Sequence, residues 1–358
     1  MRRPVAVRAG YAVVLAAAAL ALGTTAASAG ALTAQSIIAG YNLVASGDVT
    51  TNADIEGSAV IGGNLSGSGQ FFNNSSREPA SPTVSVYGTV LGGTQIDNVP
   101  GIFYYGAIGP SGSISLNGTG STKVQNGFPN ALGAYLTPLA ALATQAAAMS
   151  QQARNSIVAG SNSLVFNATT GDSGGVAYFN IAAATLESDM NNATMQFNLS
   201  GSASTMIVNV IGNCGTGGAC SFVDPGSEHF TSVVSGTTFQ PNVLFNFTNE
   251  TTLGLSSWET AVLAPDAATT TTNALEGFLY TATLNAGGEL HNLTFGGTVP
   301  PPPSPPASPV PEPASALLLA AGLGAMLRPR RIGASRQHRA APFSRCAGGS
   351  AGRTAPPC

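Results

Sequence analysis

The 358-residue sequence predicts a mainly β fold, in which short strands form the coils of a β-solenoid beside one long flanking α-helix. Apolar residues flank a glycine at four places, Gly47, Gly63, Gly88 and Gly106, which are 16, 25 and 18 residues apart. Short β-branched and aromatic strands separated by Gly and Asn turns at this spacing are typical of solenoid coils. A β-sandwich also uses short strands, but its turns recur about every 8 to 12 residues.

Two later regions extend this prediction. Apolar triplets centred on Leu244, Leu263 and Leu279 are 19 and 16 residues apart, so they continue the strand pattern. Leucines recur at helical spacing among many alanines over residues 129–154, and this stretch predicts the helix. Asn130 is expected to cap the start of that helix, since an asparagine side chain can accept from the first free backbone amides.

The composition excludes several classes of protein. Only 8% of the residues are charged, against roughly 25% in soluble domains. Val, Ile, Leu and Phe nevertheless recur throughout, which argues against a disordered chain. Residues 30–300 contain 15 carboxylates and 3 basic side chains, a net charge of −12. Because phosphate binding needs clustered cations, nucleic acid is not an expected partner.

Residues 1–29 have the three parts of a secretory signal peptide. Three arginines within residues 1–8 precede an apolar run over residues 11–23, and small residues that include Ala27 and Ala29 follow it. The run has 13 residues, whereas a membrane-spanning helix needs about 20. We therefore expect export through the Sec machinery, with cleavage after Ala29, rather than a transmembrane anchor.

The other end of the chain combines a stiff linker with a short motif-bearing segment. A Pro-rich linker spans residues 299–310, and residues 311–331 contain a Pro-Glu-Pro motif, an apolar run and an arginine cluster. The residues of this signal are Pro311, Glu312, Pro313, Arg328, Arg330 and Arg331. The layout resembles the PEP-CTERM sorting signal, although a Pro-rich linker followed by a chance apolar tail would look similar.

That resemblance has consequences for sorting. It implies that the apolar run anchors the chain transiently in the inner membrane, with the arginines on the cytoplasmic side. It also implies cleavage near Pro-Glu-Pro by an exosortase, a membrane protease-transpeptidase of bacteria that make extracellular polysaccharide. Such signals normally end close to the arginines, whereas residues 332–358 continue here as what we expect to be a disordered basic tail.

Two separated parts of the sequence carry a second resemblance. The motifs lie at residues 41–48, 53–65, 243–247, 261–267, 276–277 and 288–292. They are similar to the opening and closing segments of the choice-of-anchor A domain, and the resemblance covers most of a domain over residues 30–298. It implies an adhesive domain of exported bacterial proteins folded as a right-handed β-helix. It implies no catalytic residues.

Few side chains suggest chemistry. His229 and His291 lack a second histidine or a cysteine at ligand spacing, so a zinc or hydrolase site is not expected. We expect His291 to make a strand-end hydrogen bond instead. Asp48, Asp54 and Glu56 could approach one another on neighbouring coils and hold Ca²⁺ through oxygen ligands. The alternative is ordinary turn chemistry, in which Asp side chains bond to nearby backbone. No other cofactor is expected.

Cys214 and Cys220 enclose a short, glycine-rich loop. In an exported protein such a loop can close into a disulfide at small entropic cost. Two free thiols are the alternative, which is less expected outside the cytoplasm.

These features predict a non-enzymatic, adhesin-like protein that is exported to the cell surface or the extracellular matrix of a Gram-negative-type bacterium. Its faces rich in Thr, Ser and Asn would contact exopolysaccharide or another cell surface through many weak hydrogen bonds. Two alternatives stay open. The Thr-rich run 269–272 could belong to a flat face of an ice-binding β-helical protein. A polysaccharide hydrolase or lyase would need a cleft with two or three convergent carboxylates.

Overall fold

The computed structural model of the protein describes residues 31–72, 79–80, 82–212, 214, 220–226, 229–231 and 239–302. The predicted signal peptide, the motif-bearing sorting segment and the basic tail fall outside these residues. In the described part of the chain, no helix combines the length and apolar character needed to cross a bilayer.

The described chain is mainly β, as predicted, with three helices. The helices are α1 (Ala34–Gly40), α2 (Gly133–Ala147) and α3 (Ala183–Met190). The strands before α2 are β1 (Leu43–Ala45), β2 (Val49–Thr51), β3 (Ala59–Ile61), β4 (Leu65–Gly67), β5 (Gln70–Phe71), β6 (Val84–Val90), β7 (Gly93–Ile96), β8 (Ile102–Ile108), β9 (Ser113–Leu116) and β10 (Thr122–Gln125).

The remaining strands follow α2. They are β11 (Ser156–Ala159), β12 (Ser163–Ala168), β13 (Val176–Ala182), β14 (Thr194–Leu199), β15 (Thr205–Ile211), β16 (Ser221–Val223), β17 (His229–Phe230), β18 (Val243–Phe247), β19 (Thr252–Leu255), β20 (Ala261–Thr271), β21 (Leu275–Glu276), β22 (Leu279–Ala286) and β23 (Leu290–His291).

Parallel pairing organises these strands. Among the described pairings, only β11–β12 is antiparallel. Strands β1, β3, β6, β4, β2 and β22 close into a ring, because β6 and β22 are long enough to pair with different neighbours at their two ends. The mainly β prediction is confirmed, whereas the predicted right-handed β-helix did not anticipate this closed ring.

The ring also joins the two ends of the domain. Leu43 of β1 pairs with Leu279 of β22, and Val49 of β2 pairs with Leu284 further along the same strand. We call this junction between β1 or β2 and β22 the seam. It follows that the first coil is completed by residues from the far end of the described chain.

The glycines that predicted the strand pattern lie where neighbouring backbones approach closely. A Cβ on Gly63 would lie 2.6 Å from the Gly47 carbonyl carbon, and one on Gly88 would lie 2.4 Å from the Gly63 oxygen. Any side chain at these positions would collide with the adjacent coil. In β6 and β8 the glycine falls inside one continuous strand, so it does not separate two strands there.

Apolar side chains form two layers. One large cluster lines the inward side of the parallel strands and contains Trp258 and most of the phenylalanines. A second cluster lies between the outer side of β1, β3, β15, β18 and β20 and the helices α1 and α2, with Ile38 and Leu139 among its buried members. The sheet therefore has one face covered by helices and other faces exposed.

The long helix is shorter than its sequence pattern suggested. It begins at Gly133 and ends at Ala147, and Leu132 at its N-cap makes no side-chain capping bond. The expected Asn130 cap is wrong, because the Asn130 amide donates instead to the Tyr135 hydroxyl at 3.0 Å. Helix α1, by contrast, begins with a capping box built on Thr33.

Three stacked asparagines hold the end of α2. Asn180, Asn209 and Asn246 occupy one register across β13, β15 and β18. Each amide nitrogen donates to a carbonyl near the helix end: Asn180 to Met149, Asn209 to Ala146 and Asn246 to Ala143, at 3.2, 2.8 and 3.0 Å. We call this set the asparagine ladder. It adds side-chain hydrogen bonds to carbonyls at the end of α2, and one of these carbonyls, that of Ala146, also accepts the backbone amide of Met149 at 3.0 Å.

Candidate functional site

Six adjacent strand segments present a continuous exposed surface away from α1 and α2, and α3 contacts its β16 edge, where Glu187 Oε1 accepts the Val223 amide at 2.7 Å. Their order is β16, β19, the second half of β20, the second half of β22, β2 and β4. Side chains alternate between the core and this surface. The outward residues, which together we call the hydroxyl face, are Ser221, Val223, Thr252, Gly254, Ala268, Thr270, Thr283, Asn285, Thr50 and Ser66.

The hydroxyl face is a regular and uncharged grid. None of its ten residues is ionisable, six carry a hydroxyl group and one carries an amide. Neighbouring strands are about 4.8 Å apart and alternate residues of one strand about 6.7 Å apart, so the six strands cover about 24 Å. Adjacent hydroxyls are close enough to bond, as Thr50 Oγ1 and Ser66 Oγ do at 2.8 Å.

This alternation places some threonines on the hydroxyl face and buries others in the core. Thr270 is exposed on the hydroxyl face, whereas Thr269 and Thr271 are buried, with 2% and 1% exposure. Thr269 Oγ1 lies 2.7 Å from Thr281 Oγ1 inside the core. The Thr-rich run therefore contributes only alternate members to the surface, because the strand period is two.

A second group of polar side chains lies across the seam. His291 Nδ1 is 2.7 Å from Glu276 Oε1, and His291 Nε2 is 3.0 Å from Glu289 Oε2. Glu56, from the first coil, accepts the backbone amide of Asn292 at 3.3 Å. The opening and closing sequence motifs thus meet in space, and we call the three glutamates and His291 the seam cluster.

The seam cluster stabilises a positive charge on its histidine. The hydrogen bond from Glu276 raises the pKa of His291 to about 9, with a further rise from Glu289, while partial burial acts in the opposite direction. With both ring nitrogens protonated, His291 can donate to both carboxylates. The cluster is therefore an ionic link between β21 and β23 at neutral pH, and Glu56 connects it to the first coil through the backbone amide of Asn292.

The same side chains could also bind a metal ion. Glu56, Glu289 and His291 each offer one ligand atom, and these atoms lie within 4.8 Å of one another. Glu56 belongs to the calcium trio suggested by sequence, but Asp48 and Asp54 are not in this group. The Asp48 carboxylate instead accepts the backbone amide of Asn64, 16 residues further along the chain, at 2.7 Å, and the Asp54 carbonyl accepts from Leu290.

The ionic link predicts a loss of stability at alkaline pH. A raised histidine pKa stabilises the fold below the unfolded value of about 6.5, and this contribution disappears as pH rises through about 9. In chelator-treated protein, urea unfolding should show a fall in the free energy of unfolding between pH 6.5 and 9.5 that His291→Gln reduces. The matched control is His229→Gln, at an exposed histidine. Parallel pH curves for the wild type and His291→Gln would contradict the ionic link.

Other residues singled out by sequence lie apart from these two surfaces. Cys214 and Cys220 are joined by a disulfide beside β16. His229 lies on β17 and is exposed. Sequence reasoning did not single out Glu250, which is 1% exposed. Burial raises the pKa of its carboxyl group, because desolvation disfavours the charged form.

Comparison with protein families identifies one family that matches most of the chain. Residues 34–292 match a family model described as "Putative Ice-binding-like adhesive domain". Searches of curated proteins and of solved structures returned no match. The matched region contains the complete hydroxyl face, the seam and the seam cluster. Since the match covers more than two thirds of the sequence, the chain belongs to this family of ice-binding-like adhesive domains.

Proposed function

We propose that the protein is a non-enzymatic, adhesin-like surface or matrix protein that contacts extracellular polysaccharide through the hydroxyl face. The observation that carries this proposal is the uncharged grid of Ser, Thr and Asn side chains on six adjacent strands. Membership of an adhesive family supports the same role. The parallel strands would act as coils of a β-solenoid whose rigid backbone fixes the spacing of these groups.

The physical basis is the sum of many weak bonds. A hydroxyl group both donates and accepts, so it can match the hydroxyls of a sugar in several orientations. Each such bond contributes only about 0.5–1.5 kcal/mol net. A polymer that crosses the grid can form several of them at once, because one row places the polar side chains of Thr270, Asn285, Thr50 and Ser66 on four neighbouring strands, about 4.8 Å from one strand to the next. Extended ligands are thereby favoured over single sugars.

Export and sorting belong to the same proposal. Residues 1–29 would direct secretion through the Sec machinery, and an exosortase would process the chain near Glu312. The supporting observations are the signal-like order of residues at each end of the sequence. Mass spectrometry of the mature ends, in host cells with and without exosortase, tests both cleavages.

Substitution of the exposed hydroxyls tests the binding surface. The full-length triple variant Thr50→Val, Thr252→Val and Thr270→Val keeps the β-branched shape that suits a strand but removes three exposed hydroxyls. At about 0.5–1 kcal/mol per bond, we expect about 10- to 100-fold weaker binding to the host extracellular polysaccharide. Co-sedimentation or surface plasmon resonance measures this change.

The control is Thr122→Val, an exposed threonine on β10, outside the hydroxyl face. It should bind like the wild type. Equal loss in the control and the triple variant, or no loss in either, would contradict the proposed surface. Polymer length should stay constant during incubation, since the proposed role is non-enzymatic. Shortening of the polymer would favour the hydrolase or lyase alternative.

Ice binding is a second candidate for the same face. It is favoured by the regular exposed hydroxyls and by the ice-binding-like character of the family. A flat ice contact would be broken by one protruding side chain at its centre, so Thr270→Tyr should abolish any inhibition of ice recrystallisation. Strong ice activity in the wild type that is lost in this variant would favour ice over polysaccharide as the ligand.

A further inference from the structure

We propose that the hydroxyl face selects uncharged polysaccharide chains and discriminates against polymers that carry carboxylate, sulfate or phosphate groups. This inference rests on the proposed adhesive function and adds the chemical class of the ligand. It follows from the distribution of charge around the face, which the family description does not specify.

The face has no cationic side chain that could pair with an anion. Its ten outward residues include no lysine, arginine or histidine. The lysine and arginine in the described part of the chain lie elsewhere: Lys123 is on β10, where its ammonium group donates to the Ile114 carbonyl at 3.3 Å, and Arg154 precedes β11. His291 is already paired with the carboxylates of Glu276 and Glu289. An acidic polymer on the face would lose water from its anions without gaining a cation, which is unfavourable.

The surroundings of the face repel anions as well. Residues 30–300 carry a net charge of −12. Asp48 is exposed one residue before β2, and the glutamates of the seam cluster lie on the coil that continues beyond β2. Their repulsion acts over about 10 Å at 0.1 M salt. A neutral polymer escapes this repulsion, whereas an acidic one does not.

The grid itself matches a neutral sugar chain. Serine and threonine hydroxyls exchange donor and acceptor roles by rotation, which is what a chain of sugar hydroxyls requires. Binding of this kind releases no counterions, so its affinity should change little with salt. Residual binding of an acidic polymer should instead become stronger as salt screens the repulsion.

A set of polymers with the same linkages tests this selectivity. The probes are the host extracellular polysaccharide, the same polymer after reduction of its uronic acids to neutral sugars, and the same polymer after oxidation of its primary hydroxyls to carboxylates. Full-length protein is measured against each from 20 to 500 mM NaCl. We expect the oxidised polymer to bind at least 10-fold more weakly than the reduced one at 20 mM NaCl, and the difference to shrink at 500 mM.

A charge-gain variant provides the matched test. Thr252→Lys with Thr270→Lys should recover binding of the oxidised polymer, whereas Thr122→Lys on β10 should not. Tighter binding of the oxidised polymer by the wild type at low salt would overturn the selectivity but leave the adhesive function intact. Failure to bind any of the three polymers would overturn the proposed function together with this inference.

Discussion

Replacement of Trp258 by alanine is expected to lower the free energy of unfolding by about 3–5 kcal/mol, as other large-to-small changes of buried aromatic residues do. Trp258 has 0% exposure. Its ring centroid lies 5.0 Å from Phe245 and 5.6 Å from Phe230, and its Nε1 donates to Thr260 Oγ1 at 2.7 Å. The variant would leave a cavity among rings and a buried hydroxyl without its donor. Urea unfolding monitored by far-ultraviolet circular dichroism measures the loss.

Two further variants test whether the loss of stability comes from the buried aromatic ring of Trp258. Trp258→Phe keeps a ring in place and should lose only about 1–2 kcal/mol. Val158→Ala, at a strand residue with 51% exposure, should change the stability by about 0.5 kcal/mol or less. A Trp258→Ala protein that unfolds at the same urea concentration as Val158→Ala would show that the aromatic cluster does not hold the coils together.

Removal of the central rung of the asparagine ladder should have the second large effect. Asn209→Ala takes away the donor to the Ala146 carbonyl and the acceptor used by the Asn246 amide, which lies 2.9 Å from Asn209 Oδ1. All these groups are buried. The change removes three hydrogen bonds, because the Asn209 amide also donates to Asn180 Oδ1 at 2.9 Å, and at about 1 kcal/mol for each bond we expect a total loss of about 3 kcal/mol.

Amide hydrogen exchange shows which part of the structure loses stability in Asn209→Ala. The amides in the last turn of α2 should exchange faster in Asn209→Ala, while those of β1 and β3 should not change. Asn180→Ala is the matched control, because Asn180 is the exposed end of the ladder and water can replace its bond. Equal destabilisation by Asn180→Ala and Asn209→Ala would contradict a role for burial in the strength of the ladder.

Local sequence patterns predicted much of the fold. The glycine pattern predicted a mainly β fold because the collisions that exclude a Cβ at Gly63 or Gly88 come from the backbone of a neighbouring segment, where only glycine allows so close an approach. The leucine pattern located the middle of α2 for a similar reason, since burial of one helix face depends on residues three and four apart. The ends of that helix were less predictable, because tertiary partners such as Tyr135 competed for Asn130.

Long-range registers could not be predicted from one sequence. The ladder asparagines are 29 and 37 residues apart, and loops of different length lie between them. Glu56 and Asn292 are 236 residues apart, yet they meet in the seam cluster. The Thr-rich run drew attention to the correct strand. The pairing of β20 with β22 sets the register of this run, and the register decides which of its threonines face outward.

The seam also constrains the order in which the protein can be made and folded. The β1 and β2 strands emerge early from the ribosome, but their partner β22 follows more than 200 residues later. Until then the first coil has an open edge, and closing a loop of that length is slow. A nascent chain therefore cannot complete its native ring before almost the whole domain has been synthesised. For the export that we propose, this delay would leave the ring open while the chain passes through a narrow translocation channel.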